Sequence, residues 1–196
     1  MSAMNTNAQQ QRLTNAIIYF AQNTEQCGKI KLFKLLYLLD FQHFRETGKS
    51  VTGLDYQAWK FGPVPVKIME SWEDPDTPVA TGCHIEDERV IDHIRHTVKL
   101  DHGTEFDDSD FSRRQLRIMH ELVERYRDTY SPAMIDVTHQ ENGAWDKVWC
   151  NGRGAFQPIP YDLAVPDDDP HYSELLEIHS EQQARKSALD ALSVRG

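Results

Sequence analysis

KIKLFKLLYLLDFQHFRETGKSVTGLDYQAWKFGPVP, residues 29–65, decides the fold. Its first half is apolar on almost every side, and Gly48 stops it, because glycine takes the left-handed C-terminal conformation without penalty. A helix is therefore expected over Lys29–Thr47. Projected at about 100° per residue, Lys31, Lys34, Gln42 and Arg45 form its one narrow polar stripe. Asp40 falls on the opposite side, among apolar directions, where a naked carboxylate would be costly. It is expected to be buried and hydrogen-bonded, with backbone N–H groups of the Thr52–Gly53 turn or the Lys60 amine as donors. A structural tether is favoured over a buried general base, because no second ionisable group is supplied nearby in sequence. After the Gly48–Gly53 loop, Tyr56 to Phe61 alternates with the period of a strand. Gly62–Pro63 closes that strand, and Pro65 suits the first turn of a helix over Val66–Trp72.

Outward from this run, a polar lead of about ten residues precedes Leu13, Ile17, Ile18, Phe20 and Ala21, which recur at helical spacing and predict an amphipathic helix ending near Gly28. Asp74 to Gly82 reads as a loop. Arg89 to Leu100 is β-branched enough for a strand or an irregular hairpin. Asp110 or Ser112 can cap a strong helix whose buried stripe is Leu116, Met119, Leu122, Val123, Tyr126 and Tyr130. Ser131–Pro132 starts a further short helix, and another surrounds Trp145 and Trp149. Between Asn151 and Pro170 the chain is rich in Gly, Pro and Asp, which marks a tail wrapping the domain or a linker leaving it. His171 to Arg195 can form a last helix, polar on all sides from Ser180 to Ser187.

The expected fold class is mainly α, with a small antiparallel β element. The expected division is a flexible lead at 1–12, a compact helical domain at 13–150, a Pro- and Asp-rich tail at 151–170 and a C-terminal helix at 171–196.

Composition narrows the function. The chain of 196 residues has a formal net charge of −10, which argues against nonspecific nucleic-acid binding and favours a basic partner surface. Arg113, Arg114, Arg117, Arg125 and Arg127 interleave with Glu121, Glu124 and Asp128, so they read as a solvated helix face. Cys27, Cys83 and Cys150 are far apart and not in CxxC pairs, which favours neither a disulfide framework nor a zinc site. A reducing cytoplasm is the simple reading. The N-terminus lacks the pattern of a signal peptide, and no uncharged apolar run reaches membrane-spanning length, so no membrane is expected.

The candidate chemistry is sparse. His93 and His96 point to opposite faces if they lie on a strand. Asp107, Asp108 and Asp110 lack the central glycine and terminal glutamate of a calcium loop, and helix capping explains them with less assumption. Cys83–His84 adjacency supplies no usable nucleophile and base by itself. The run at 29–65 holds no nucleophile beside a base, no phosphate-cradling loop and no metal-ligand spacing. A binding module follows, with no metal, no cofactor and no catalytic residue. A hydrolase using Asp40 and histidines is a more distant rival.

The order KLFKLLYLLD, TGLDYQAWKFGPVP and then THQENGAW resembles the Panacea domain family, the SocA-like antitoxins. The residues on the family's pattern are Lys31, Leu32, Lys34, Leu35, Tyr37, Asp40, Thr52, Gly53, Tyr56, Gly62, Pro63, Val64, His139 and Trp145. The resemblance covers about Leu13 to Trp149. It implies a noncatalytic antitoxin that neutralises a cognate toxin protein by direct binding. It also implies a proteolytic adaptor, with a protease as second partner, or a phage-associated interaction protein as alternatives. In the strand, Tyr56, Trp59 and Phe61 alternate with Gln57, Ala58 and Lys60, so one row can face the core while the other meets a partner at a strand edge. Tyr56, Trp59, Lys60, Phe61 and Pro63 are the expected partner-binding residues.

Overall fold

The structure, a computed structural model, describes residues 2–74, 76–90, 93–139 and 143–193, with side chains from residue 8 onward except at 90, 93, 186 and 189–193. The elements run α1 (Ser2–Asn23), α2 (Lys29–Thr47), β1 (Tyr56–Trp59), β2 (Gly62–Pro65), α3 (Val66–Glu73), β3 (Cys83–Val90), β4 (His93–Leu100), α4 (Arg113–Tyr126), α5 (Ser131–Thr138), α6 (Ala144–Trp149) and α7 (Tyr172–Ser193). This is the mainly α fold with small antiparallel β elements that the sequence predicts: β1 pairs only with β2 as strands, and β3 with β4.

Helix α2 is the axis of the molecule. It packs against α1, α4, α5, β2 and a 3-10 turn at Tyr161–Ala164. Twelve of its residues are buried, from Lys31 to Phe44, because neighbours cover nearly its whole circumference. Gly48 ends it at φ 69° and donates its N–H to the Phe44 carbonyl. Leu13, Ala16, Ile17 and Phe20 of α1 and Ile118, Met119 and Leu122 of α4 join the same core.

Several boundaries differ from the sequence expectation. Helix α1 begins at Ser2 rather than after a polar lead, since Ala8 and Gln9 to Gln11 are good helix formers that lack an apolar period. It ends at Asn23, and Gln26 then turns the chain at φ 49°. Ser112 caps α4 through a reciprocal capping box with Gln115. Ile118 belongs to the α4 stripe, whereas Tyr130 lies beyond the helix end and is 68% exposed. Hairpin β3–β4 begins at Cys83, earlier than the β-branched pattern marks it.

The segment after Asn151 wraps the body. The Ala58 N–H donates to the Gln157 carbonyl, and the N–H groups of Phe156 and Ile159 donate to the Ala58 and Tyr56 carbonyls. Residues 156–159 thus run along β1, held by these three bonds and an isolated bridge between Gln57 and Pro158. Ile159 and Val165 are buried, and the first turns of α7 are held by Leu175, which is buried with Phe44 and Val165. Beyond Ser180 the described side chains of α7 are exposed, as its polar sequence predicts.

Candidate functional site

Hairpin β1–β2 stands on α2 and is gripped from beneath at several points. The first grip is Asp40, fully buried, whose Oδ1 accepts the Val51 and Thr52 N–H groups, both at 2.8 Å. Its Oδ2 accepts the Thr52 hydroxyl and, at 2.9 Å, the Tyr56 hydroxyl. The expected donors in the Thr52 turn are therefore present, while Lys60 is exposed elsewhere, its amine 5.6 Å from the centre of the Phe61 ring. Burial raises the Asp40 carboxyl, and the bonds from Thr52, Tyr56 and Val51 oppose that rise. Burial and the Asp40 charge together lift the Tyr56 hydroxyl well above its ordinary value, so it serves as a donor. With both oxygens engaged by Val51, Thr52 and Tyr56 and no exposed surface, Asp40 has the geometry of a tether between α2 and the segment leading into β1.

Sequence reasoning missed one member of this centre. Tyr161 reaches in from the tail, its hydroxyl donating to the Leu54 carbonyl at 2.6 Å and lying 3.3 Å from Asp40 Oδ2. Its ring packs on Phe41 at 4.7 Å and on Phe44 at 5.4 Å. Position in a Pro-rich segment hid it; an aromatic flanked by Pro158, Pro160 and Pro166 was the available signal.

The second grip is Lys34. The stripe expectation is corrected here: Lys31 and Lys34 are buried, at 1% and 2% exposure, because a lysine stem is apolar and its head can be satisfied by carbonyls. Lys31 bonds the Glu25 and Arg127 carbonyls at 2.8 and 2.6 Å, tying α2 to the end of α4. Lys34 donates to the Pro63 carbonyl at 3.0 Å, and burial lowers its amine to about 7. Gly62, at φ 101°, is the residue that lets this happen: a Cβ there would lie 2.5 Å from Lys34 Nζ and 2.8 Å from Thr138 Oγ1.

The third grip is Trp145, whose indole N–H donates to the Trp59 carbonyl at 3.1 Å. The His139 ring stacks on it, with centroids 3.8 Å apart and planes 1° from parallel. His139 Nε2 is buried without a hydrogen-bond partner among the described residues, and burial and the Lys34 charge lower its pKa. Tyr37 packs edge-on against Tyr56 at 5.5 Å. Val64 is buried within β2, and Gly53, at φ 68°, shapes the turn that presents the Thr52 donors.

Of the residues the sequence marks, the structure thus brings together two neighbouring sets: Asp40, Thr52, Gly53 and Tyr56, and Lys34, Gly62, Pro63, His139 and Trp145. Lys31 stands apart. The five expected partner-binding residues do not share one exposed face. Tyr56 and Pro63 are buried, Trp59 is half-buried, and Lys60 and Phe61 form an exposed turn rather than the end of a strand. Phe61 is 59% exposed, and Phe156, at 60%, meets the Trp59 ring edge-on at 5.1 Å.

Neither long edge of this sheet offers donors. Pro63 and Pro65 cannot give N–H groups, so the β1–β2 ladder bonds run through Gln57 with Val64 and Trp59 with Gly62. The prolines occupy the outward positions. Pro158 does the same on the tail segment, where it forms an isolated bridge opposite Gln57. A central strand capped by proline-bearing neighbours is closed to strand addition.

Among the described residues, no group of three or more His, Cys, Asp or Glu side chains is placed to hold a metal ion, and no helix is long and apolar enough to cross a membrane. A family model described as the antitoxin SocA-like Panacea domain matches residues 32–146, more than half of the 196. The chain belongs to that family. No curated protein and no solved structure matched it.

Proposed function

We propose that this protein is a cytoplasmic antitoxin that neutralises a cognate toxin protein by stoichiometric binding and catalyses no reaction. Membership of the SocA-like family carries this reading. The geometry supports its binding half: Lys34, Asp40 and Trp145 of the family motif grip hairpin β1–β2, and what the hairpin offers to solvent is the turn Lys60–Phe61 beside Trp59 and Phe156. An aromatic turn held this rigidly loses little entropy on docking. Large aromatics and a cation are also the side chains that dominate protein interfaces.

Coexpression with a toxin encoded next to it, followed by isolation of the complex, tests the reading. The expected result is rescue of growth together with an equimolar complex, and loss of both in Phe61→Ala with an unchanged melting midpoint. Rescue far below equimolar levels, with no complex, would favour an enzyme that repairs toxin damage.

A proteolytic adaptor is the second reading, favoured by the exposed, largely polar course of α7 from Glu181 to Arg185. Truncation after Ser180 separates the two. An adaptor would keep toxin binding and lose toxin degradation, whereas a direct inhibitor would keep rescue.

A further inference from the structure

We propose that the outer edge of β3 is a second docking site, which takes an extended, basic segment of a partner protein as an added antiparallel or parallel strand. The inference rests on the protein-binding reading above and names a mode of contact that the first hairpin cannot provide. The backbone register places it. On β4, the Val98 N–H turns away from β3 and donates to the Cys27 carbonyl at 2.9 Å. Its partner across the ladder is Ile85, so Ile85 also directs its N–H and carbonyl away from the ladder, toward the opposite edge. By the same alternation Asp87 and Arg89 face outward. Cys83 confirms the phase, since its N–H leaves the ladder for the Ala80 carbonyl at 3.0 Å. Past that single bridge, no backbone bond among the described residues uses the outward groups of Ile85, Asp87 or Arg89. Glu86 to Arg89 are exposed, so nothing covers them.

An open edge of this length is a template for another chain, and proteins usually guard such edges. Here the guard is charge of one sign. Glu86, Asp87 and Glu88 stand in sequence on β3, and their cross-strand partners on β4 are Thr97, His96 and Arg95. Glu88 pairs with Arg95 at 3.3 Å, Glu86 reaches Lys99 at 3.7 Å, and Asp87 holds His96 at 2.5 Å. Arg95 and Lys99 of β4 therefore pair with the carboxylates of Glu88 and Glu86 on β3. A third strand continues this alternation if its own side chains are basic, because opposite charges directly across a ladder stabilise it and like charges oppose it.

That rule also selects against a second copy of this chain. Two β3 edges related by a twofold axis through Asp87 would set Asp87 against Asp87 and Glu86 against Glu88. A basic partner is attracted further by the chain's net charge of −10. On the face of Glu86 and Glu88 the added strand would carry Lys or Arg at alternate positions. On the other face, shared by Ile85, Asp87 and Arg89, it would carry small apolar residues, continuing toward Ile94, which is 57% exposed.

The test uses the full chain and two capped peptides of equal charge, Lys-Val-Lys-Val-Lys-Val-Lys and Lys-Pro-Lys-Pro-Lys-Pro-Lys. The proline peptide cannot pair as a strand. Amide exchange at Ile85, Asp87 and Arg89 is expected to slow at least about tenfold with the first peptide only. Asp87→Pro, which deletes an outward N–H and no ladder bond, and Glu86→Gln with Glu88→Gln are each expected to weaken binding by about tenfold or more. Their melting transitions should remain cooperative. Equal binding of the two peptides, no binding of either, protection at other amides or self-association through β3 would each overturn the proposal. If Asp87→Pro rescues growth from the toxin as fully as the parent chain, the edge is not the docking site, yet stoichiometric neutralisation stands.

Discussion

The two hairpins of this protein are built on opposite plans. In β1–β2 both neighbours of the central strand carry proline outward, and Asp40, Lys34 and Trp145 hold the backbone from below. In β3–β4 one edge is open, the ion pairs lie on the surface, and only the base of the ladder enters the core through Cys83, Thr97 and Val98. The difference teaches where each stores its stability. The first hairpin depends on buried polar groups whose partners cannot be replaced by water, while surface ion pairs such as those of the second contribute about 0–1 kcal/mol each.

Removing the central grip should have the largest effect. Asp40→Ala leaves two N–H groups and two hydroxyls facing a dry cavity, and loss of at least about 3 kcal/mol is expected, since each buried orphan costs ~1–3 kcal/mol. Thermal melting measures it, and an unchanged midpoint with lost activity would turn Asp40 into a functional residue.

Gly62→Ala should come next. A methyl group there collides with Lys34 and Thr138 at a backbone angle that L residues avoid, so about 2 kcal/mol or more of destabilisation is expected in denaturant unfolding. By contrast, Glu88→Gln, which breaks the surface ion pair with Arg95, should change stability by less than about 1 kcal/mol.

Lys34 sharpens the contrast through pH. Its folded pKa lies near 7, below the unfolded value of 10.5, so the unfolded chain binds more protons between these limits. Its contribution to stability is therefore complete above 10.5 and falls as pH drops toward 7. The Lys34→Met variant lacks this titration. Relative to it, the parent chain should be weakest near and below pH 7 and recover steadily on going alkaline, as urea titrations of both proteins would show. A pH-independent difference would mean that the amine is solvated.

Tyr161→Phe should cost least, about 1 kcal/mol, for the single bond to the Leu54 carbonyl, with the ring packing retained. The same substitution would leave β3–β4 untouched.

Much of the first hairpin was legible in the sequence because its signals are local. Gly48 ended α2, and an acid among apolar residues demanded donors that the Thr52 turn supplies eleven and twelve residues away, whereas Pro65, expected in the first turn of α3, ends β2 and caps that helix from outside. What was not legible depended on distance along the chain. Tyr161 reaches Asp40 across 121 residues, the tail segment meets β1 about 100 residues away, and no periodicity carries such contacts. Lys31 and Lys34 were misplaced on a polar stripe, because a helical projection records the charge at the tip and not the carbonyls that fold over it. The β3 edge was hidden for a related reason: which amides face outward is a property of register, fixed by the Val98 bond to Cys27.

Residue-resolved hydrogen exchange of the free, full-length protein tests the contrast most directly. The ladder amides of Gln57, Trp59 and Val64, with the Ala58 amide that bonds the Gln157 carbonyl of the tail, are expected to exchange only through global unfolding. Those of Ile85, Asp87 and Arg89 should exchange at nearly the rate of an open chain. Strong protection at the β3 edge, or exchange of the β1–β2 amides by local opening, would contradict the division of this fold into a sealed sheet and an open one.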